Sequence, residues 1–282
     1  MIPFSGALAL ASTLFAAPAV WSEAQAPYRI HGNTWNVGSR GLASILVTSD
    51  AGHVLIDAPL AQNAELIEAN VRALGFRVED IRVILNSHAH FDHAGGIARL
   101  ARDSGAEVRA SAAGARALRS GGDDPDDPQH GSADPYAPVQ VAATLADGDV
   151  VRVGDLALTA HLTPGHTPGS TTWTWRSCGQ ATCFDIVYAD SLTALSAKGY
   201  RYSDPAHPER LAGFRRGLAV VAGLPCDILV TPHPEASGFD QRLARREAGE
   251  ADALVDRGAC RRYAEAAGQR LDARIELERA GK

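Results

Sequence analysis

Four metal-binding side chains fall within six residues in the segment SHAHFDHAGG (87–96), and no other feature constrains the chain as strongly. They are His88, His90, Asp92 and His93. The segment directly follows RVILN (82–86), an apolar, β-branched run that predicts a strand. Imidazole and carboxylate without thiolate suit Zn²⁺, Fe or Mn, and are more typical of a catalytic than of a structural site. Because the loop leaves a strand and enters a helix, we expect the first two side chains to face one point and the last two another. The pattern predicts two adjacent metals; a surface histidine cluster or a single structural zinc is the alternative.

Two further histidines occur in loops that follow apolar strands. His166 lies in a turn marked by Pro-Gly and Thr-Pro pairs, and His233 lies between two prolines after the strand pattern DILV. Both have the context of metal ligands, which disfavours a site limited to the first four side chains. The other five histidines lack that context and are expected on the surface or on strand faces. They are His31, His53, His130, His161 and His207.

The chain of 282 residues contains no low-complexity linker, so we expect a single domain. The net charge of -6 includes no basic stripe, and we therefore expect no nucleic-acid partner. Local patterns predict a strand hairpin around 49–52, helices over 61–74 and 208–224, and a last helix over 250–267, after which the charged tail is expected to fray. Strand, helix, strand and then a polar loop is the arrangement of a layered α/β domain.

The first residues differ from the rest of the chain. Residues 2–20 are apolar and uncharged, and Ala24-Gln25-Ala26 offers an A-x-A cleavage pattern. We predict a signal peptide over 1–26 and a catalytic domain over 27–282 that is exported to the periplasm, with no stable membrane association after cleavage. An uncleaved membrane anchor is the alternative.

Four cysteines, none of them in a CxxC spacing, agree with export to an oxidising compartment. Three pairings are possible. A hairpin could close the short gap between Cys178 and Cys183, which leaves Cys226 and Cys260 as the second pair. Four buried thiols are the alternative.

Three motifs, HAHFDH, TPGHTPGS and TPHP, follow hydrophobic strands in that order and resemble the pattern of the metallo-β-lactamase superfamily. The resemblance extends from about Trp35 to the C-terminal helix. It implies an α/β fold, a four-layer αββα sandwich with the metals at one edge of the two sheets. It also implies two Zn²⁺ ions per chain. The ligands of the first are His88, His90 and His166, and those of the second are Asp92, His93 and His233.

The stretch IVYADSLTALSAKGY is similar to subclass B3 of the class B β-lactamases, in which a serine, here Ser191, stands where other subclasses have a cysteine. The stretches 33–60 and TPGHTPGSTTWTW and a pairing of Cys226 with Cys260 are similar to that subclass too. In the glyoxalase-like and nuclease branches, a carboxylate in a GD motif bridges the two metals. Here an alanine precedes Asp190, and an Asp190 facing the metals would favour a lactonase or thiolester hydrolase.

The resemblance implies a dizinc β-lactamase that opens the amide of penicillins, cephalosporins and carbapenems with a metal-bound hydroxide. In this hypothesis His88 and His90 hold the metal that polarises the carbonyl, and Asp92 orients the hydroxide. A periplasmic lactonase or thiolester hydrolase and a non-catalytic metal-binding protein are the alternatives.

The partner implied is a small β-lactam whose carboxylate needs hydrogen-bond donors, and we expect the protein to be a monomer. Ser191 and Thr193 follow the strand that reaches the metals and are the expected donors, with Gln129 in a polar loop over the groove. Trp35 and Leu42 are candidates for an apolar wall, with core packing as the alternative.

Overall fold

The computed structural model describes residues 18–281. The predicted signal peptide falls only partly in this range, since residues 1–17 lie outside the described residues. A short 3-10 helix, Ala19–Ser22, precedes the first strand.

The first sheet has seven strands in chain order, antiparallel from β1 to β4 and parallel from β4 to β7. The strands are β1 Tyr28–His31, β2 Thr34–Asn36, β3 Ile45–Ser49, β4 Gly52–Ile56, β5 Ile81–Leu85, β6 Glu107–Ser111 and β7 Ala143–Leu145. The expected hairpin joins β3 to β4, where Ser49 pairs with Gly52 across a two-residue turn.

The second sheet has five strands in the order β12-β11-β10-β9-β8. They are β8 Val150–Val153, β9 Leu156–Leu162, β10 Thr171–Cys178, β11 Cys183–Tyr188 and β12 Ile228–Val230. The pair β11 and β12 is parallel, and the other pairs are antiparallel.

Three apolar clusters define the layers. One lies between the sheets, with Ile56 and Leu85 of the first sheet and Trp173 and Tyr188 of the second among its fully buried members. A second packs α1, α3 and α4 on the outer face of the first sheet, and a third packs α5 and α7 on the outer face of the second. The helices are α1 Ala64–Ala73, α2 Phe91–Ala94, α3 Ile97–Ser104, α4 Ala112–Arg119, α5 Pro208–Gly223, α6 Phe239–Glu247 and α7 Ala259–Arg279. This arrangement confirms the predicted single-domain αββα sandwich.

The last helix differs from the prediction. Helix α7 begins nine residues later than expected and continues to Arg279 instead of fraying after Gly268. Its second half packs on α5 through the buried Leu271 and Ile275. The buried Glu278 accepts hydrogen bonds from the backbone N–H groups of Tyr202 and Ser203, which fixes the end of the helix to the body of the domain.

Two disulfides are present, with the pairing that the cysteine spacing favoured. Cys178 and Cys183 face each other across the ends of β10 and β11. Cys226 and Cys260 join the start of β12 to the start of α7, so this bond connects the second sheet to its outer helix layer. Within residues 18–281, none of the helices has the length and apolar character needed to cross a membrane.

Candidate metal centre

The candidate site lies where strands of both sheets end. The segment after β5 carries four of the predicted ligands, with His90 at the residue before α2 and Asp92 and His93 in its only turn. The turn between β9 and β10 carries His166, and the loop after β12 carries His233. Because these connections leave the sheets at the same edge, all six side chains meet there, as the sequence predicted.

His88, His90 and His166 form a triangle of buried imidazoles. Their ring centroids are 4.7 Å apart for His88 and His90, 4.6 Å for His88 and His166, and 4.9 Å for His90 and His166. One potential ligand atom from each lies within 4.8 Å of the others. Burial is the main reason that the pKa of His88 lies well below its usual range and that of His166 is lowered to about 3. Both rings are therefore neutral at physiological pH, the state that a metal ligand requires.

Asp92, His93 and His233 form a second group beside the first. The Nε2 atoms of the two histidines are 3.1 Å apart, and Asp92 Oδ2 lies 3.2 Å from His93 Nε2 and 3.3 Å from His233 Nε2. His93 and His88 have ring centroids 4.3 Å apart, so the two groups adjoin. His233 is the most exposed of the six side chains, at 21%, and marks the open side of the site.

Each imidazole of the triangle has one nitrogen engaged by a partner outside the triangle. His88 Nδ1 is 2.7 Å from Asp190 Oδ1, and His90 Nε2 is 3.0 Å from Asp127 Oδ2. His166 Nδ1 is 3.0 Å from the Thr193 carbonyl oxygen and 2.9 Å from its hydroxyl. The nitrogens left to bind a metal are therefore Nε2 of His88, Nδ1 of His90 and Nε2 of His166. Partners of this kind fix the tautomer of a metal-binding histidine.

The side chain of Asp190 is turned to the back of His88. It is fully buried. Among the residues that the structure describes, two sets have metal-ligand spacing, His88 with His90 and His166, and His88 with Asp92 and His93, and Asp190 belongs to neither. Burial raises the pKa of Asp190. This geometry is that of a carboxylate that orients a ligand, rather than one that bridges two metals.

Asp57, which sequence reasoning missed, lies at the centre of a buried network after β4. Its Oδ1 accepts from the Asn86 amide and the Ser87 backbone N–H, and its Oδ2 accepts from the Ser87 and Tyr188 hydroxyls at 2.6 and 2.8 Å. Oδ2 is also 4.0 Å from His93 Nδ1. Burial raises the pKa of Asp57 to about 6. The network fixes the segment that leads into the ligands; the only sequence signal for it is an acid at a strand end.

The polar loop that contains Gln129 approaches the site through the side chain of Asp127, which contacts His90. Asp127 is buried, and its Oδ1 also accepts from the Gln129 backbone N–H at 2.7 Å. The Pro128 carbonyl accepts from Ala197 N–H, which joins this loop to the segment after β11. In the acidic run of this loop, Asp123 and Asp126 are exposed, whereas Asp124 and Asp127 are buried.

The predicted substrate donors occupy different positions. Thr193 contacts His166, as described above, while Ser191 is buried next to Asp190. Within residues 18–281, the hydroxyl of Ser191 and the side-chain amide of Gln129 make no hydrogen bond, so both can serve a ligand. Of the two candidates for an apolar wall, Leu42 is fully buried and Trp35 packs against Phe76.

The five histidines set aside from the sequence lie away from the site. Four contact other groups: His31 the Thr182 carbonyl, His130 the Asp123 carboxylate, His161 the Thr174 hydroxyl and His207 the Glu209 carboxylate. His53 is buried against Phe76.

The six side chains fit zinc. Five imidazoles and one carboxylate are borderline donors of the kind that Zn²⁺ prefers. His88 Nε2 is buried and has no hydrogen-bond partner among residues 18–281, which is costly unless it binds a cation. The donor atoms of Asp92, His93 and His233 lie 3.1–3.3 Å apart, a separation that ligands of one tetrahedral zinc ion also have.

The two-sheet fold and the six converging side chains are those of a metal-binding protein, and comparison with known proteins identifies its family. The family model described as "Metallo-beta-lactamase superfamily" matches residues 39–233, and the chain belongs to this superfamily. The predicted family resemblance is therefore confirmed.

Several solved structures are similar over almost the whole chain. Rm3 metallo-beta-lactamase is 49% identical with a TM-score of 0.89, covering 93% of this chain and 97% of that one. MEM-A1, described as a subclass B3 metallo-beta-lactamase from a soil metagenome library, is 48% identical with a TM-score of 0.89, covering 93% and 100%. MIM-1 from Novosphingobium pentaromativorans is 50% identical with a TM-score of 0.88, covering 93% of each chain.

Curated relatives match over shorter stretches. A hydroxyacylglutathione hydrolase of Anaeromyxobacter dehalogenans is 40% identical over 95 residues, 34% of this chain and 29% of that protein. One from Methylobacterium nodulans is 35% identical over 133 residues, 44% of this chain and 43% of that protein. The matched region thus spans less than half the length of each of these relatives.

Proposed function

We propose that this protein is a dizinc β-lactamase that hydrolyses the amide of penicillins, cephalosporins and carbapenems. The observation that carries the proposal is the convergence of six side chains at one edge of the sheets. Two sets of three have metal-ligand spacing, His88 with His90 and His166, and His88 with Asp92 and His93. His233 adjoins the second set, with its Nε2 atom 3.1 Å from His93 Nε2 and 3.3 Å from Asp92 Oδ2. The likeness to a subclass B3 metallo-beta-lactamase over 93% of the chain supports the substrate class.

In this proposal His88, His90 and His166 bind one Zn²⁺, and Asp92, His93 and His233 bind the other. Zinc, when bound, supplies a water of lowered pKa as nucleophile and polarises the carbonyl that it attacks. The protein's part is to hold the donor atoms in place. Asp190, Asp127 and Thr193 do so by binding the outward nitrogens of the three imidazoles.

Asp92 is the one carboxylate among the six ligands, so it can accept a hydrogen bond from the attacking water and orient it. Ser191 and Gln129 are proposed to bind the carboxylate of the substrate, directly or through water, because their polar groups are uncommitted. We propose that Thr193 contributes mainly by positioning His166, since its hydroxyl lies 2.9 Å from Nδ1 of that ring.

A thiolester hydrolase is the second candidate, and the partial matches to hydroxyacylglutathione hydrolases favour it. The orientation of Asp190 argues against it, because this carboxylate lies behind His88, away from the position of a metal bridge. A lactonase of the same superfamily shares this difficulty. A non-catalytic metal-binding protein is disfavoured by the presence of all six ligands.

We further propose that the chain acts as an exported monomer in the periplasm. Two disulfides support an oxidising compartment. The apolar N-terminal residues of the sequence support an export signal.

Hydrolysis of a carbapenem by the purified full chain, followed as loss of ring absorbance, tests the proposal. We expect turnover with added Zn²⁺, two zinc ions per chain, and loss of turnover after chelation. His88→Ala should abolish activity, whereas His130→Ala, which changes an exposed histidine outside the site, should retain it. Cleavage of a lactone or thiolester with inert β-lactams would refute the β-lactamase assignment. Zinc binding without hydrolysis of any of the three substrate types would favour the non-catalytic alternative.

A further inference from the structure

His233 lacks the hydrogen bond that orients each histidine of the triangle. Its Nε2 atom faces Asp92 and His93, and among residues 18–281 its Nδ1 atom has no hydrogen-bond partner. The indole of Trp21 packs against the ring, with the two centroids 5.1 Å apart, but makes no hydrogen bond to it. Metal-binding histidines are normally oriented through their second ring nitrogen. The orientation of His233 therefore depends largely on the backbone that carries it.

The loop that carries His233 is closed by hydrogen bonds to the backbone of the ligand itself. The Thr231 hydroxyl donates to the His233 carbonyl oxygen at 2.7 Å and lies 2.9 Å from the Ser237 hydroxyl. The Ala236 backbone N–H donates to the same carbonyl oxygen at 3.0 Å. Thr231 is fully buried, so its bonds are shielded from water. These contacts make residues 231–237 a compact turn that presents the ligand.

Arg242, in α6, bridges the two sides of this turn. Its Nη2 donates to the carbonyl oxygen of Leu229 in β12, and its Nη1 donates to that of Ser237, each at 2.9 Å. One carbonyl precedes His233 and the other follows it, so a single guanidinium spans the whole turn. Because a guanidinium is planar and its donors have a fixed geometry, it holds two acceptors at a set separation.

Arg242 is a costly side chain to bury. It is 7% exposed, it forms no ion pair with a carboxylate among the described residues, and its Nε atom is buried without a hydrogen-bond partner there. The guanidinium stays charged, and burying an unpaired charge is unfavourable. The groups that offset this cost are the two carbonyl oxygens and the ring of Phe239, whose centroid is 5.6 Å away. Packing alone does not require the charge, whereas holding two carbonyl oxygens does.

We propose that Arg242 is a positioning residue for the second metal group: it fixes the turn 231–237 and, through the turn, the direction in which His233 offers Nε2 to zinc. It makes no hydrogen bond to the ligand side chains and acts through the backbone. The triangle should not depend on Arg242, because its three imidazoles have partners on other elements. This inference rests on the dinuclear site of the proposed function.

The affinity of each zinc ion tests the inference. Zinc is titrated into the metal-free full chain against a chromophoric chelator, and His233→Ala identifies the binding step that belongs to the second group. Arg242→Met removes both hydrogen bonds and should weaken that step by about three- to tenfold, with the other step at the wild-type value. Arg245→Met is the matched control, since Arg245 lies on the same helix but is 56% exposed, and it should leave both steps unchanged. Equal weakening of both steps in Arg242→Met, or of neither, would overturn the inference.

Two further variants keep the test decisive if Arg242→Met folds poorly. Thr231→Val has nearly the same shape, removes the hydroxyl that binds the His233 carbonyl oxygen, and should weaken the same step. Arg242→Lys keeps the positive charge but not the planar pair of donors, so it should also weaken that step. Denaturant unfolding of the metal-free variants is measured in parallel. Lower stability with wild-type zinc affinities would assign Arg242 a structural role only and refute the positioning role.

The result is separable from the substrate. Two zinc ions per chain without hydrolysis of any β-lactam would refute the proposed function and leave the result for Arg242 standing. A wild type that binds a single zinc ion would overturn the dinuclear site and this inference together.

Discussion

Replacing Asp127 with Asn is expected to weaken zinc binding at the triangle of histidines by about tenfold. Both carboxylate oxygens of Asp127 lie near His90 Nε2, at 3.0 and 3.2 Å. Burial raises the pKa of Asp127, but the hydrogen bond and charge of His90, the Gln129 N–H and the charge of His166 together outweigh burial, so the pKa is lowered and the group is ionised at neutral pH. Asn retains an oxygen for His90 and for the Gln129 N–H but removes the charge.

The magnitude follows from that difference. A hydrogen bond to a charged group contributes about 1.5–3 kcal/mol and one between neutral groups about 0.5–1.5 kcal/mol. The midpoints of the two ranges differ by about 1.3 kcal/mol, which corresponds to a loss of roughly tenfold in affinity.

The assay is competition for zinc against a chelator of known affinity, with the two binding steps fitted separately. Asp126→Asn is the matched control, since Asp126 lies in the same loop, is 72% exposed and pairs with Arg116. The control should bind zinc as the wild type does. Wild-type affinity in Asp127→Asn would refute the role of the His90 contact, and an equal loss in both variants would indicate a general effect on the loop.

Two further predictions concern stability. Leu271→Ala should lower the free energy of unfolding by about 2–5 kcal/mol because this side chain is fully buried against α5. Leu277→Ala, on the same helix but 49% exposed, should change it by less than about 0.5 kcal/mol in the same denaturant titration; equal losses would contradict the packing of α7. Tyr188→Phe removes a hydrogen bond to the Asp57 carboxylate and should cost about 1.5–3 kcal/mol. Tyr136→Phe, which removes a bond to the neutral Ala89 carbonyl, should cost only about 1 kcal/mol, and the reverse order would refute an ionised Asp57 in the folded protein.

The parts of the fold and site that the sequence predicted are those specified by neighbouring residues. The two-residue turn between β3 and β4 and the helix Pro208–Gly223 follow from local polarity patterns. The ligand-rich segment is equally local, because a strand, a loop and a one-turn helix place four donors within six residues. His166 and His233 were found because each follows an apolar strand.

The groups that the sequence did not reveal depend on distant contacts. In the acidic run of the loop, Asp123 and Asp126 are exposed while Asp124 and Asp127 are buried, and nothing in the run itself distinguishes them. The partners of this part of the loop lie far away in the sequence: Asp127 contacts His90, and the Pro128 carbonyl accepts from Ala197 N–H.

The prediction that the chain frays after Gly268 was wrong because charged residues alternate there with the few apolar residues that pack. After Gly268 half of the residues are charged, which is typical of a tail that frays. Leu271 and Ile275 are four residues apart, so they lie on one face of a helix and both reach α5. Two apolar side chains sufficed because Glu278 is also satisfied by backbone N–H groups of the body.

The carboxylates around the ligands also bear on how many cations the site takes. Asp57, Asp92, Asp127 and Asp190 are all buried, and burying so many negative charges close together is unfavourable without compensating positive charge. The pKa of Asp57 and that of Asp190 are raised by burial, the response expected of carboxylates in a site considered without its cations. Nearby positive charge is therefore needed to keep both carboxylates ionised. Two divalent cations supply more of that charge than one, which favours the dinuclear site proposed above.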